Sequence, residues 1–202
     1  MIDLPDKQYA LLLLAGGKSS RMGADKSELL YEGRSFLDTL LWKAQQLGLQ
    51  DFYLSQHPCC HETVTIVNDI YKNRGPLGGI HACMKAMPHP FCLILPVDVP
   101  QIPLRALESL LREHAHRVSL GAPPPALLLK HGDREEPLIG VYSTTLVPTM
   151  EYYMDRDRNS IFTTLNDRGY AVCCQTLPEW QVENINTPEA YHHLLDTSNQ
   201  NS

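Results

Sequence analysis

The chain predicts an α/β fold with a mostly parallel central sheet. Three observations carry that expectation. Short apolar runs alternate with helix-period patterns through the first half, as strands joined by crossover helices do. The first run, Tyr9 to Leu14, is apolar without alternation, which suits a central strand covered on both faces. A glycine-rich loop follows it directly, where such sheets bind their ligands.

The elements follow in order. From Ser35 onward, Phe36, Leu37, Leu40, Leu41, Ala44 and Leu47 recur at helical spacing and Gly48 stands where a helix should stop. Phe52 to Leu54 and Val64 to Val67 read as strands, and Phe91 to Leu95 as a buried strand ending at Pro96. Before that strand, Gly75-Pro76-Leu77-Gly78-Gly79 opens an apolar helix reaching Met87. The second half is less regular. Leu104, Leu107, Leu110 and Leu111 mark a helix entered through Pro103. Ala126 to Leu129 and Leu138 to Tyr142 are strands around a polar turn, His131 to Glu136, and Tyr170 to Thr176 is another strand. Pro188 to Leu195 is a final helix, capped by Thr187.

A length of 202 residues allows one large core and barely two, so a single domain is expected over 1–196. The remainder, 197–202, has nothing apolar to bury and is expected to fray. Hydrophobic residues at 43% and charged residues at 20% describe an ordinary globular protein. No apolar run approaches the roughly 18–20 residues that cross a bilayer, and no basic segment precedes the first run as a signal peptide requires. A cytoplasmic protein without membrane contact is expected. The net charge of −6 argues against nucleic acid as a partner, because phosphate-backbone binding needs many Lys and Arg. A small phosphorylated ligand needs only a few local donors.

Six cysteines form the vicinal pairs Cys59-Cys60 and Cys173-Cys174 and the singles Cys83 and Cys92, without C-x-x-C spacing. They read as reduced thiols. Vicinal cysteines do not readily share one tetrahedral ion, so Cys59-Cys60-His61 is a poor zinc site. The histidines, including His192 and His193, are expected at the surface.

Chemistry concentrates in two places. In Leu14-Ala15-Gly16-Gly17-Lys18-Ser19-Ser20-Arg21-Met22-Gly23-Ala24-Asp25-Lys26, three glycines allow close backbone approach, and Arg21 and Lys26 add positive charge. Such a loop can cradle phosphates, or it can simply be a tight turn with a solvated basic face. Leu12 stands where a Walker A loop needs glycine, and no G-x-G-x-x-G occurs here. The second place is Leu95-Pro96-Val97-Asp98-Val99-Pro100. Asp98, at the carboxyl end of a central strand, is a hard oxygen ligand for Mg2+, which takes one or two carboxylates plus phosphates and water. As a cap for the helix at Pro103 it would stand five residues too early.

Leu14-Ala15-Gly16-Gly17, Ser20-Arg21-Met22-Gly23, Asp25-Lys26, Gly75-Pro76-Leu77-Gly78-Gly79-Ile80, Asp98 with Pro100, and Asn184-Ile185-Asn186-Thr187-Pro188-Glu189 together resemble the molybdenum cofactor guanylyltransferases. The glycine and Asp-Lys part is common to many sugar-phosphate nucleotidyltransferases, whereas the Asn-x-Asn-Thr-Pro-Glu ending is sharper. Gly16 favours guanine, because cytidylyl relatives tend to carry Leu-Ala-Ala-Gly there. The resemblance implies a three-layer, Rossmann-like nucleotidyltransferase fold. It implies that Leu14, Ala15, Gly16 and Gly17 contact the guanine nucleotide, Lys26 its phosphates with Arg21 beside it, Asp69 the ribose or base, and Asp98 the Mg2+. Two positions depart from the pattern: Ser55 stands where a nucleotide-contacting Asn is usual, and Val97 where Cys is often found.

The reaction so implied is attack by the terminal phosphate of molybdenum-molybdopterin on the α-phosphorus of GTP, releasing pyrophosphate. The attacking phosphate is already ionised, so alignment and charge neutralisation suffice and no general base is needed. Arg158, Asn159, Asn184 and Asn186 are candidates for the pterin side, with turn and cap chemistry as their alternative. Other molybdenum cofactor biosynthesis proteins and molybdoenzyme chaperones are the implied partners. A cytidylyl or sugar-phosphate enzyme would use the same phosphate machinery. A non-catalytic GTP-binding scaffold is the alternative of another class, and the presence of Lys26 and Asp98 counts against it.

Overall fold

The apolar run near the start of the chain is strand β1 (Tyr9–Leu14), buried along its whole length. It is seen in a computed structural model that describes residues 7–15, 26–55 and 61–200, without the side chains of Lys26 and 197–200. After it come a short hairpin, β2 (Leu30–Tyr31) and β3 (Arg34–Ser35), helix α1 (Phe36–Gln46), β4 (Phe52–Ser55) and β5 (Val64–Val67). Then follow α2 (Pro76–Ala86), β6 (Phe91–Pro96), α3 (Leu104–Ser119), β7 (Ala126–His131) and β8 (Arg134–Ser143). Helices α4 (Val147–Met154) and α5 (Ile161–Arg168), strand β9 (Ala171–Gln175) and α6 (Pro188–Gln200) complete the order.

Seven strands form one sheet in the order β5-β4-β1-β6-β8-β7-β9. The run β5, β4, β1, β6 is parallel, and so is the pair β7 and β9, while β8 is antiparallel to both its neighbours. Alternation along β1 divides the core. Tyr9, Leu11 and Leu13 pack with residues of α1, α3 and α6 such as Phe36, Leu40, Leu107 and Leu194. Ala10, Leu12 and Leu14 pack with residues of α2, α4 and α5, including Ile80, Met150 and Leu165. Helices thus cover both faces of a mostly parallel sheet, and the expected three layers are present.

Local chemistry fixes the ends of α1. The Ser35 hydroxyl accepts from the Asp38 N–H at 3.0 Å and donates to the Asp38 carboxylate at 2.7 Å, so one orphan donor of the first turn is satisfied. Gly48 then takes φ 86°, the left-handed conformation that ends a helix at little cost to glycine. Thr187 caps α6 as expected, its hydroxyl accepting from the Ala190 N–H at 3.2 Å.

Several expectations are corrected. The polar turn between β7 and β8 shrinks to Gly132-Asp133, because Lys130, His131, Arg134, Glu135 and Glu136 stay in the ladder. A cross-strand pair helps to hold them there, His131 Nε2 lying 3.1 Å from Glu136, whose carboxylate Arg134 Nε of the same strand also meets at 2.7 Å. Helices α4 and α5 were not anticipated; each has eight residues, too short a window for periodicity to declare itself. The final helix continues to Gln200, past Leu195. Four histidines are buried rather than superficial: His81, His89, His114 and His131. Each has a polar partner, namely Glu151, Asp51, the Tyr9 hydroxyl and Glu136 respectively, which offsets the cost of removing imidazole from water. Among the described residues, no helix is long and apolar enough to cross a membrane.

Candidate active site at the carboxyl edge of the sheet

Four parallel strands end in register. Leu14 of β1 lies opposite Ser55 of β4 and Pro96 of β6, and Ser55 opposite Val67 of β5. Chain direction therefore delivers Ala15, Asp69 and Asp98 to one edge, beside Ser55 itself. In open α/β sheets this is the edge that binds ligands, since strand ends and helix N-termini meet there.

The segment after β6 is held from several sides. Val97 N–H donates to the Leu14 carbonyl at 3.0 Å, so the β1 and β6 exits leave together. Val97 and Val99 are buried, and Asp98 between them is half-buried. Ile185 N–H donates to the Asp98 carbonyl at 2.8 Å. Ile185 is buried while Asn184 and Asn186 on either side are exposed, so one backbone bond stations both asparagines next to Asp98. On the remaining side, Lys43 of α1 reaches under the loop and donates to the carbonyls of Pro100 at 2.6 Å and Ile102 at 2.7 Å.

The glycines at the start of α2 are explained by contact. Gly75 precedes the helix at φ 59°, ψ −150°, a conformation suited to glycine, and Pro76 supplies the first turn. A β-carbon on Gly78 would stand 2.9 Å from the Tyr71 carbonyl oxygen and 3.0 Å from Asp69 Oδ2. The Asp69 carboxylate thus rests against the first turn of α2, where the helix dipole favours negative charge. A β-carbon on Gly79 would stand 2.9 Å from the Ser55 β-carbon. Both glycines let α2 lie directly on the strand ends.

Leu14, Ala15, Ser55, Asp69, Asp98, Asn184 and Asn186 come to one edge. Arg158 stands in the loop between α4 and α5, which meets this edge at the start of α2: its guanidinium lies 5.0 Å from the centre of the Tyr153 ring, and Asp157 beside it pairs with Arg74 ahead of α2. Asn159 shares that loop. Gly16, Gly17 and Arg21 lie outside the described residues, as do Cys59 and Cys60. Lys26 opens a short 3-10 turn, Lys26–Glu28, and its side chain is also outside them. The hairpin that follows is tied to α6, because the Tyr191 hydroxyl accepts from Leu30 N–H at 3.2 Å and donates to the Leu30 carbonyl at 2.9 Å.

Sequence reasoning missed Lys43, the Ile185 bond and Tyr191. Lys43 had a signal, since it interrupts the apolar stripe Phe36, Leu40, Leu47 at helical spacing. The other two join distant parts of the chain and leave no local trace.

The donors at Asp98 suit a hard cation. Among the described residues no three His, Cys, Asp or Glu side chains gather into a metal cage. A cation at Asp98 would take its other ligands from phosphates and water, which is the habit of Mg2+.

Residues 11–168 match the MobA-like NTP transferase domain. The chain belongs to the MobA-like NTP transferase family. It is a nucleotidyltransferase. Its relatives in this family include the molybdenum cofactor guanylyltransferase of Pseudomonas fluorescens, 34% identical over 190 residues that cover 89% of this chain and 90% of that one. The probable molybdenum cofactor guanylyltransferase of Peptoclostridium acidaminophilum is 27% identical, covering 88% of this chain and 84% of the other. Among solved structures, molybdopterin-guanine dinucleotide biosynthesis protein A of Archaeoglobus fulgidus superposes with a TM-score of 0.70 at 20% identity, covering 95% and 99% of the two chains. CMP:2-keto-3-deoxy-manno-octonic acid synthetase complexed with CTP gives a TM-score of 0.75 at 12% identity, covering 96% and 100%. The fold is thus common to enzymes of different substrates, and the choice of base rests on side chains rather than on architecture.

Proposed function

We propose that this chain transfers GMP from GTP to the terminal phosphate of molybdenum-molybdopterin, forming the guanine dinucleotide cofactor and releasing pyrophosphate. The convergence of Ala15, Ser55, Asp69 and Asp98 with the Asn184–Asn186 segment at one sheet edge carries this reading. It is supported by family membership and by the names of the relatives.

Leu14 and Ala15, continuing into Gly16 and Gly17, would lay backbone against the nucleotide, with the Ser55 hydroxyl and the Asp69 carboxylate on its base and ribose. Lys26, with Arg21, would offset the charge that builds on the α-phosphate and the departing pyrophosphate. Asp98 would hold Mg2+. Bound there, the cation supplies charge neutralisation to the nucleotide phosphates. Asn184 and Asn186, next to Asp98, offer donors and acceptors to a pterin edge. Arg158, in the α4–α5 loop that meets the start of α2, would offer a guanidinium to a pterin phosphate. The product would pass to molybdoenzyme chaperones.

Thermal unfolding with Mg2+ and each nucleotide tests the base assignment: GTP should raise the melting temperature well beyond CTP or UTP. A larger shift with CTP would replace guanine by cytosine in the reading. Tight GTP binding without pyrophosphate release in the presence of molybdenum-loaded molybdopterin would mark a scaffold instead of a catalyst.

A further inference from the structure

Lys43 is a charged residue in a place that an amphipathic helix normally gives to leucine. It is 9% exposed, on the face of α1 that packs against the sheet and the start of α3. Removing an ammonium group from water and fixing four rotatable bonds both oppose folding, so such a residue persists only where its donors are used. Burial pulls the Lys43 ammonium down to about 8, and the carboxylate of Glu32 opposes that shift. At neutral pH the group is still charged.

Its donors go to one place. The carbonyls of Pro100 and Ile102, at 2.6 and 2.7 Å, belong to the segment that links β6 to α3. Pro100 and Pro103 in that segment have no N–H, which limits the bonds the loop can make with itself. The loop is tied at its beginning by Val97 to Leu14 and by Ile185 to Asp98, and at its far end by Lys43. Asp98 lies between these ties. A hydrogen bond from a charged donor is stronger than a neutral one, so two of them hold this end of the loop firmly.

We propose that Lys43 is a positioning residue for Asp98: its ammonium, by gripping the Pro100 and Ile102 carbonyls from below, fixes the loop that presents the Asp98 carboxylate to a divalent cation. This rests on the reading of Asp98 as the cation ligand. Lys43 is buried and spends its donors on loop carbonyls. Its effect is on the precision with which a ligand is held, and a displacement of about 1 Å in such a group can cost about a hundredfold in rate.

The test compares Lys43→Met and Lys43→Arg with the unaltered chain. Methionine fills similar volume without donors, and replacing a buried charge by a well-packed apolar side chain is often neutral or stabilising for the fold. Two quantities are read for each protein. One is the Mg2+ concentration for half-maximal turnover. The other is the increment that Mg2+ adds to the GTP-induced rise in melting temperature, which needs no turnover. Lys43→Met should raise the half-maximal Mg2+ about tenfold and lose most of that increment, with GTP stabilisation in EDTA unchanged; Lys43→Arg, which restores charge and donors, should recover at least part of both. A folded Lys43→Met with unaltered Mg2+ dependence in both readouts would overturn the proposal. Should the methionine variant fail to fold, Lys43→Leu, which also removes every donor, carries the same titration, and unaltered values there overturn it equally. Asp98→Asn measured alongside separates the two ideas. Unaltered Mg2+ dependence in Asp98→Asn defeats the Asp98 reading itself, whereas a crippled Asp98→Asn beside an unaffected Lys43→Met defeats only the role given to Lys43.

Discussion

The two ends of the sheet use buried titratable groups in opposite ways. At the amino end, Tyr9 of β1 and Phe91 of β6 enclose His114 of α3: Phe91 and His114 have ring centres 4.6 Å apart, and the Tyr9 hydroxyl is 2.8 Å from His114 Nδ1. At the carboxyl end, Lys43 spends its donors on loop carbonyls. Burial depresses both groups, His114 to about 4 and Lys43 to about 8, because desolvation disfavours the charged form of each. Near neutrality the imidazole is therefore uncharged and the ammonium charged. The amino end is a dry aromatic closure that serves stability. The carboxyl end keeps charge, backbone carbonyls and a helix start seated closely on the strand ends, where a phosphorylated ligand can be met.

The largest expected effect lies at the carboxyl end. Asp98→Asn keeps the size of the side chain and removes its charge, and turnover should fall by at least about 10²-fold, the scale of losing one preorganised electrostatic partner. Stability should change little, because Asp98 is only half-buried and its carbonyl bond to Ile185 does not depend on the side chain. Raising Mg2+ should recover part of the activity, since an amide oxygen still ligates hard cations weakly. Retained turnover at ordinary Mg2+ would remove the functional half of the contrast.

The amino end predicts a stability change without a functional one. His114 titrates at about 4 when folded and near its ordinary 6.5 when unfolded. Between those values the unfolded chain binds more protons, so stability is complete above pH 6.5 and declines as the pH falls toward 4. The gap amounts to roughly 3 kcal/mol. Replacing both polar partners, Tyr9→Phe with His114→Phe, should abolish that portion of the acid sensitivity and leave turnover at pH 7.5 unaltered. Denaturant unfolding at several pH values measures it; identical pH profiles for the two proteins would show that His114 is not the acid-sensitive group.

The spine of the fold was readable because it is local. Tyr9–Leu14 and Phe91–Pro96 are apolar without interruption, and β1, β5, the α1 start and the Thr187 cap fell where sequence reasoning put them. Asp98 and the glycines of α2 were legible as motifs, since each needs a particular residue type at a fixed offset from a strand. What escaped depends on partners far along the chain. His114 looked superficial because its partner Tyr9 is 105 positions away, and the Asp98–Ile185 bond has no pattern at either end. Short α4 and α5 bury Met150, Met154, Ile161 and Leu165 against the even face of β1, a role set by the sheet rather than by their own periodicity.

The smallest effect sharpens the contrast at Gly79, where the carboxyl end relies on close approach. Alanine is a better helix former than glycine by about 1 kcal/mol, so Gly79→Ala would stabilise α2 if space allowed. It does not: the new β-carbon would lie 2.9 Å from the Ser55 β-carbon, 3.0 Å from its Oγ and 3.5 Å from Leu14 Cδ2. Ser55 cannot yield easily, being 2% exposed within β4 and flanked by β1 and β5. Overpacking of this kind costs about 1–3 kcal/mol, which leaves a net loss of roughly 1 kcal/mol after the helix-propensity gain. In a chain of this size that lowers the melting temperature by about 2–4 °C. Because Ser55 is also assigned to the nucleotide, GTP-induced stabilisation should weaken as well, and Ser55→Gly in the same chain should relieve the clash and return part of the melting temperature. A Gly79→Ala protein that melts higher than the unaltered chain would show that α2 stands further from the strand ends, and the close seat given to Ser55 would be lost.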